Sequence, residues 1–146
     1  MEYEQLTGVI IGCAMKVHSA LGPGFLESVY QKALAHELQR SGLRVASEYP
    51  VAVWYEGVKA GDFSADLLVE DCVLLELKAN QTLSPANEAQ LVNYLTATKI
   101  EIGLLLNFGA VKLEFKRKTR TYQPRKIRQG EQDSWDGPNK DWDNSF

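Results

Sequence analysis

The stretch Asp66-Leu67-Leu68-Val69-Glu70-Asp71-Cys72-Val73-Leu74-Leu75-Glu76-Leu77-Lys78 decides how this chain is read. Beyond Val73 it alternates as a strand does. Leu74, Glu76 and Lys78 share one face, and Leu75, Leu77 and Ala79 share the other. Apolar residues on both faces mark a central strand, where charges are costly unless paired or metal-bound. Glu70-Asp71 reads as a tight turn between strands at 59–70 and 72–79. A simple hairpin register then brings Asp66 within reach of Glu76. Two carboxylates about 4 Å apart repel by roughly 4 kcal/mol at an effective dielectric near 20. A divalent cation between them removes that penalty. The competing reading is a buried Glu76–Lys78 ion pair with Asp66 capping the turn.

Working outward, apolar positions Leu6, Val9, Ile10, Cys13, Ala14, Val17, Ala20 and Leu21 recur at helical spacing until Gly22-Pro23-Gly24. A second helix is predicted from about Phe25 to Arg40, with Gly42 as its C′ residue. The period then changes over 43–56, and Tyr55-Glu56-Gly57 suggests a hairpin corner. Downstream of the opening stretch, Ser84-Pro85 predicts a third helix to about Thr98, with Ser84 as N-cap and Pro85 at N1. Ile100 to Phe108 is a continuous apolar run, read as a strand buried on both faces. Val111 to Lys118 is read as a last strand at an edge. The element order is therefore ααβββαββ, an α/β (α+β) domain with one mixed central sheet flanked by helices.

A chain of 146 residues suits one domain. Hydrophobic residues at 45% and charged residues at 24% are ordinary for a soluble globular protein. Two cysteines, Cys13 and Cys72, are too few for a disulfide scaffold and read as core residues. No zinc-type spacing and no apolar run of membrane length occurs, and the acidic, polar N-terminus does not resemble a targeting peptide. A cytoplasmic protein without membrane association is expected. The domain is expected to span 1–122, followed by a polar, flexible tail at 123–146. Trp135, Trp142 and Phe146 are unusual for such a tail and suggest a docking role.

The net charge of −3 conceals a segregation. Residues 1–111 hold seven basic and thirteen acidic side chains, 112–128 eight and one, and 129–146 one and five. The basic block contains Lys112, Lys116, Arg117, Lys118, Arg120, Arg125, Lys126 and Arg128. It is a candidate phosphate-contacting patch, or else a solvated edge strand guarded by lysines.

Several further side chains are candidates for the same chemistry. Glu27 falls near the stripe of Tyr30, Gln31 and Leu34, so it points toward the sheet, or it sits in the first turn to favour the helix dipole. Gln90 and Tyr94 stand at i and i+4, able to hold two polar tips over the acidic pair. His18 reads as a packing histidine rather than a ligand, and His36 as solvated. Trp54 and Tyr55 offer rings for base stacking or for ordinary strand packing.

Taken together, these residues resemble a known family. Gly24-Phe25-Leu26-Glu27-Ser28-Val29-Tyr30 resembles the G-x-x-E-x-x-Y signature, with Val17-His18 and Leu21-Gly22-Pro23 as its lead-in. Asp66 followed by Glu76-Leu77-Lys78 resembles the core motif of the PD-(D/E)xK nuclease superfamily, and Gln90-Leu91-Val92-Asn93-Tyr94 the Q-x-x-x-Y helix motif of its exonuclease-like branches. The resemblance covers roughly residues 4–122. It departs from the superfamily name at Ala65, which stands where a proline often precedes the aspartate.

The resemblance implies a restriction-endonuclease-like core and a metal-dependent phosphodiester hydrolase acting on nucleic acid, most simply DNA. Asp66, Glu76 and the Leu77 backbone carbonyl would hold Mg²⁺ or Mn²⁺, with Glu27 completing the shell directly or through water. Lys78 would orient the attacking water and offset charge on the phosphate. Gln90, Tyr94 and Tyr30 would position substrate, and Lys112, Lys116, Arg117, Lys118 and Arg120 would bind flanking phosphates. A homodimer is expected by analogy. The alternative is a non-catalytic member of the same fold that binds nucleic acid or protein.

Overall fold

The computed structural model describes residues 2–120. Arg125, Lys126, Arg128 and the tail aromatics Trp135, Trp142 and Phe146 lie outside the described residues, as does the expected domain boundary at 122. The order is α1 (Tyr3–Leu21), α2 (Glu27–Arg40), β1 (Val45–Tyr55), β2 (Val58–Val69), β3 (Val73–Lys78), α3 (Pro85–Thr98), β4 (Ile102–Asn107) and β5 (Glu114–Thr119). The strands form one sheet in the order β1-β2-β3-β4-β5. Only the β3–β4 pair is parallel. It is joined through α3, as a crossover between parallel neighbours requires.

Local chemistry explains the punctuation. Gly42 adopts φ +87 just past α2. Its N–H bonds the Gln39 carbonyl and that of Leu43 the Leu38 carbonyl, the paired bonds that close a helix through a left-handed residue. The Ser84 hydroxyl caps α3 at the Asn87 N–H while the Asn87 side chain answers the Ser84 N–H, and Pro85 occupies the first turn. Both turns expected in the meander take left-handed residues: Glu56 and Gly57, then Glu70 and Asp71.

The sheet separates two cores. On one side α1 and α2 cover Leu67, Val69, Val73, Leu75, Leu77, Leu104 and Leu106. On the other, Leu91 and Leu95 of α3 cover Val51, Ala65, Leu68, Leu74 and Leu105. Every residue of β4 is buried, as its unbroken apolar run predicted. At Gly103 an added Cβ would lie 2.9 Å from a Leu91 methyl and 3.0 Å from the Leu74 carbonyl. Its missing side chain lets α3 lie close on the sheet. Strands β1 and β5 are the edges, and Pro50 is tolerated in β1 for that reason.

Buried Asn107, at the end of β4, fixes the chain leaving β3. Its Oδ1 accepts from the Asn80 and Gly109 N–H groups, and its Nδ2 donates to the Asn80 carbonyl and to Glu114. All four hydrogen-bonding positions of the amide are used.

Candidate active site

The sheet is irregular where its charged residues gather. Strand β2 pairs with β1 through ten positions but with β3 through only Leu67↔Leu75, Leu68↔Leu74 and Val69↔Val73. Past Leu67 the two strands diverge, and side chains replace the ladder. The Asp66 carboxylate accepts the Leu77 N–H at 2.7 Å, and the Glu76 carboxylate accepts the Asp66 N–H at 3.1 Å. The carboxylates that hairpin register brought together are thus interlocked through each other's backbone.

Alternation also breaks here. Ala65 belongs to the α3-side core and Leu67, two residues on, to the opposite one. Between their partners Tyr49 and Ser47 stands Glu48, with φ 54 inside a strand. A non-glycine residue held there costs on the order of 1–3 kcal/mol. Gln31 of α2 bridges the irregularity: its Nε2 donates to Glu48 at 2.7 Å and to the Asp66 carbonyl at 3.0 Å. Ser64 donates to the other Glu48 oxygen.

The electrostatics follow from this crowding. Glu76 is 4% exposed, and burial, reinforced by the Asp66 charge, pushes its pKa up to about 8. Half-buried Asp66 is also raised, first by burial and then by the charges of Glu27 and Glu48, against the lowering effect of the Leu77 N–H bond. Burial, with the Glu76 charge behind it, raises Tyr94. Lys78 does not form the close ion pair with Glu76 that the competing reading required. Its Nζ donates to Gln90 Oε1 at 2.9 Å, and Gln90 Nε2 donates to the Tyr94 hydroxyl at 3.3 Å. Asp66, Glu76, Lys78, Gln90 and Tyr94 therefore meet as the motifs suggested.

Other expected residues stand apart. Glu27 opens α2, exposed, acting on the two carboxylates through its charge. Tyr30 is fully buried, stacked on Phe108 at 4.7 Å, and its hydroxyl donates to the Gly22 carbonyl and accepts from the Phe25 N–H. Direct contact with substrate is closed to it, because ring and hydroxyl are both spent on bracing the Gly22–Phe25 turn. His18 packs, as expected, with Nε2 2.9 Å from the Ala110 carbonyl.

The basic strand does not present one face. Arg117 turns to Thr7 of α1, Lys118 pairs with Glu88 of α3, and Arg120 pairs with Glu101. Lys112 and Lys116 remain exposed. Trp54, 61% exposed with Lys59 over its ring, pairs across the hairpin with that same Lys59, seven residues from Asp66 or about 23 Å along the strand.

Glu48 and Gln31 were missed by sequence reasoning. The one nearby signal was Pro50, which marks β1 as an edge or bulged strand without pointing to either residue.

Whether the residues can hold a metal is answered by their free oxygens. Asp66 and Glu76 each commit one carboxylate oxygen to a backbone N–H, and the second has no protein donor among the described residues. Two such oxygens on repelling, buried carboxylates fit a hard divalent cation that keeps several waters. Among the described residues no three Cys, His, Asp or Glu side chains converge as a ready-made cage.

Among the described residues no helix is long and apolar enough to cross a membrane. Comparison with curated proteins gives no match. A solved structure titled "Crystal structure of SSO0001" is similar at 15% identity with a TM-score of 0.47, over 63% of this chain. The chain spans about half of that structure's length, 48%. Residues 4–118 match the family model of the PD-(D/E)XK nuclease superfamily, the interval that contains every interlocked and hydrogen-bonded residue of the site. The chain belongs to the PD-(D/E)XK nuclease superfamily.

Proposed function

We propose that this chain is a divalent-metal-dependent nuclease of the G-x-x-E-x-x-Y type that hydrolyses phosphodiester bonds in DNA. The observation that carries the reading is the interlocked Asp66–Glu76 pair with Lys78 presented beside it by Gln90. Asp66, Glu76 and the Leu77 carbonyl would hold Mg²⁺ or Mn²⁺, with exposed Glu27 reaching it directly or through water. Such an ion supplies a lowered water pKa and polarisation of the phosphoryl oxygen.

The chain's own residues do the rest. The backbone N–H bonds to Asp66 and Glu76 fix one oxygen of each carboxylate and aim the other. Lys78, steered by Gln90, brings a cation to where charge grows on the phosphate and orients the attacking water. Tyr94 holds Gln90 and thereby the lysine. Lys112 and Lys116 are free to meet flanking phosphates, whereas Arg117, Lys118 and Arg120 must first give up protein partners. Homodimerisation, placing two such sites on two strands, is part of the same reading and is checked by sedimentation.

The deciding experiment is cleavage of single-stranded, duplex and branched DNA, and of RNA, with Mg²⁺, Mn²⁺ or EDTA. Lys78→Ala and Glu76→Ala proteins run alongside. Metal-dependent cutting of DNA that both variants lose is the expected result. A folded wild-type protein that neither cuts nor binds either metal by calorimetry overturns the reading and leaves a binding module of the same fold.

A further inference from the structure

Beside Lys78 the molecule opens a cavity of about 660 Å³ between the β1–β2 arm and the start of α3. This lies within the roughly 300–1,000 Å³ typical of sites for small organic groups. Its walls are mainly apolar, with Val53 and Phe63 on the arm and Pro85, Ala86 and Ala89 on α3. Three amides, Asn87, Gln90 and Asn93, and the Tyr94 ring complete the lining. The Phe63 and Tyr94 rings lie 5.9 Å apart and 31° from parallel. Phe63 is half exposed and lies over Gly61: a Cβ added there would stand 2.6 Å from its ring, so the ring rests on the bare glycine. The Lys78–Gln90–Tyr94 hydrogen-bond chain runs along this wall.

Resting on the nuclease reading, we propose that this cavity receives one unpaired nucleobase of the DNA strand being cut, adjacent to the phosphate at Lys78. The chemistry of the lining selects that occupant. Mainly apolar walls suit a heterocycle, and the aromatic rings give it a face to stack on. A base still paired in a duplex would have to leave its stack to lie against these rings. The substrate class is therefore DNA with an unpaired nucleotide at the cut site: a single-stranded end, flap or junction. Phe63 and Tyr94 become specificity residues, and Gln90 links base capture to placement of Lys78.

The test is an abasic scan with the full chain in EDTA. DNA hairpins carrying a single-stranded tail, whose junction fixes the register, lose one tail base at a time, and affinity is read by fluorescence anisotropy. Loss of the base at one position is expected to weaken binding about tenfold or more, the scale of one stacked base. Phe63→Ala, and Ala86→Trp at an exposed position of the rim, should weaken binding of the intact tail similarly. Neither should further weaken the tail already abasic at that position. A flat scan, or variant effects that persist on the abasic tail, overturns the inference, as does absence of DNA binding. Cleavage by wild type with a flat scan leaves the nuclease reading standing. A positional signature without cleavage in Mg²⁺ or Mn²⁺ fails that reading alone.

Discussion

Replacing Glu76 by glutamine separates the cost of the site from the stability of the fold. Folding draws this carboxyl into a nearly dry position beside Asp66 and raises its pKa from 4.5 to about 8. Between those values the native chain holds a proton that the unfolded chain has released. The contribution of Glu76 is therefore greatest below about pH 4.5, declines as pH rises, and is exhausted above about 8. At 1.36 kcal/mol per unit the span corresponds to on the order of 5 kcal/mol. About 4 kcal/mol of it falls above pH 5, so with a urea slope of about 1–3 kcal/mol per molar the midpoint of the wild-type protein in EDTA should fall by roughly 1.4–4 M from about pH 5 to about pH 9. Glu76→Gln keeps an oxygen to accept the Asp66 N–H and removes the titration, and with it the repulsion between the two charges. Its midpoint should change far less over the same range. Added Mg²⁺ at about pH 8 should raise the wild-type unfolding free energy by about 2.7 kcal/mol at a hundredfold excess over Kd, and leave the variant unmoved. Parallel pH profiles for the two proteins would refute the reasoning, because the destabilising charge would then lie elsewhere.

Three other substitutions probe the frame that holds the site. Asn107→Leu orphans the Asn80 and Gly109 N–H groups and should cost about 2–4 kcal/mol in urea unfolding. It should also reduce cleavage by loosening the chain just after Lys78. Tyr30→Phe removes a hydroxyl bonded to both Gly22 and Phe25, and about 1–3 kcal/mol of stability with it. Because this residue has no route to substrate, KM for DNA should stay at its wild-type value. Gly103→Ala forces a methyl against Leu91 and the Leu74 carbonyl, so a loss of about 1–3 kcal/mol is expected by thermal melting.

Most of the fold could be read because its signals were local. Gly42 and Ser84-Pro85 set helix ends through their own backbone chemistry, and the buried run of β4 announced a central strand without reference to any partner. The Asp66–Glu76 approach was legible because one tight turn relates the two strands. The rest depends on where distant segments meet. Nothing local shows that Gln31 would bridge two β residues, or that Glu48 would leave the extended region opposite Asp66. Asn107 reads as the polar end of an apolar run, and only the fold supplies Asn80 and Glu114. Tyr30 illustrates the converse: its place in a signature suggested substrate contact, but burial against Phe108 gives it a bracing role. The partners of the basic strand were hidden for a similar reason, since alternation sends neighbouring cations to opposite faces where α1 and α3 each meet one.

The unequal strand pairing has a mechanical consequence. Among the described residues no third strand lies beside the β1–β2 arm beyond Ser64, so the arm is a cantilever rooted at Leu67–Val69, where β3 joins. Phe63 and Val53 ride on that lever, facing α3 across the cavity. A small rotation at the root would widen or narrow the mouth by sliding Val51 and Ala65 against α3. Amide hydrogens at 53–59 should accordingly exchange with solvent much faster than those of Leu67, Leu68 and Val69. Occupancy of the recess should slow exchange along the whole outer arm at once.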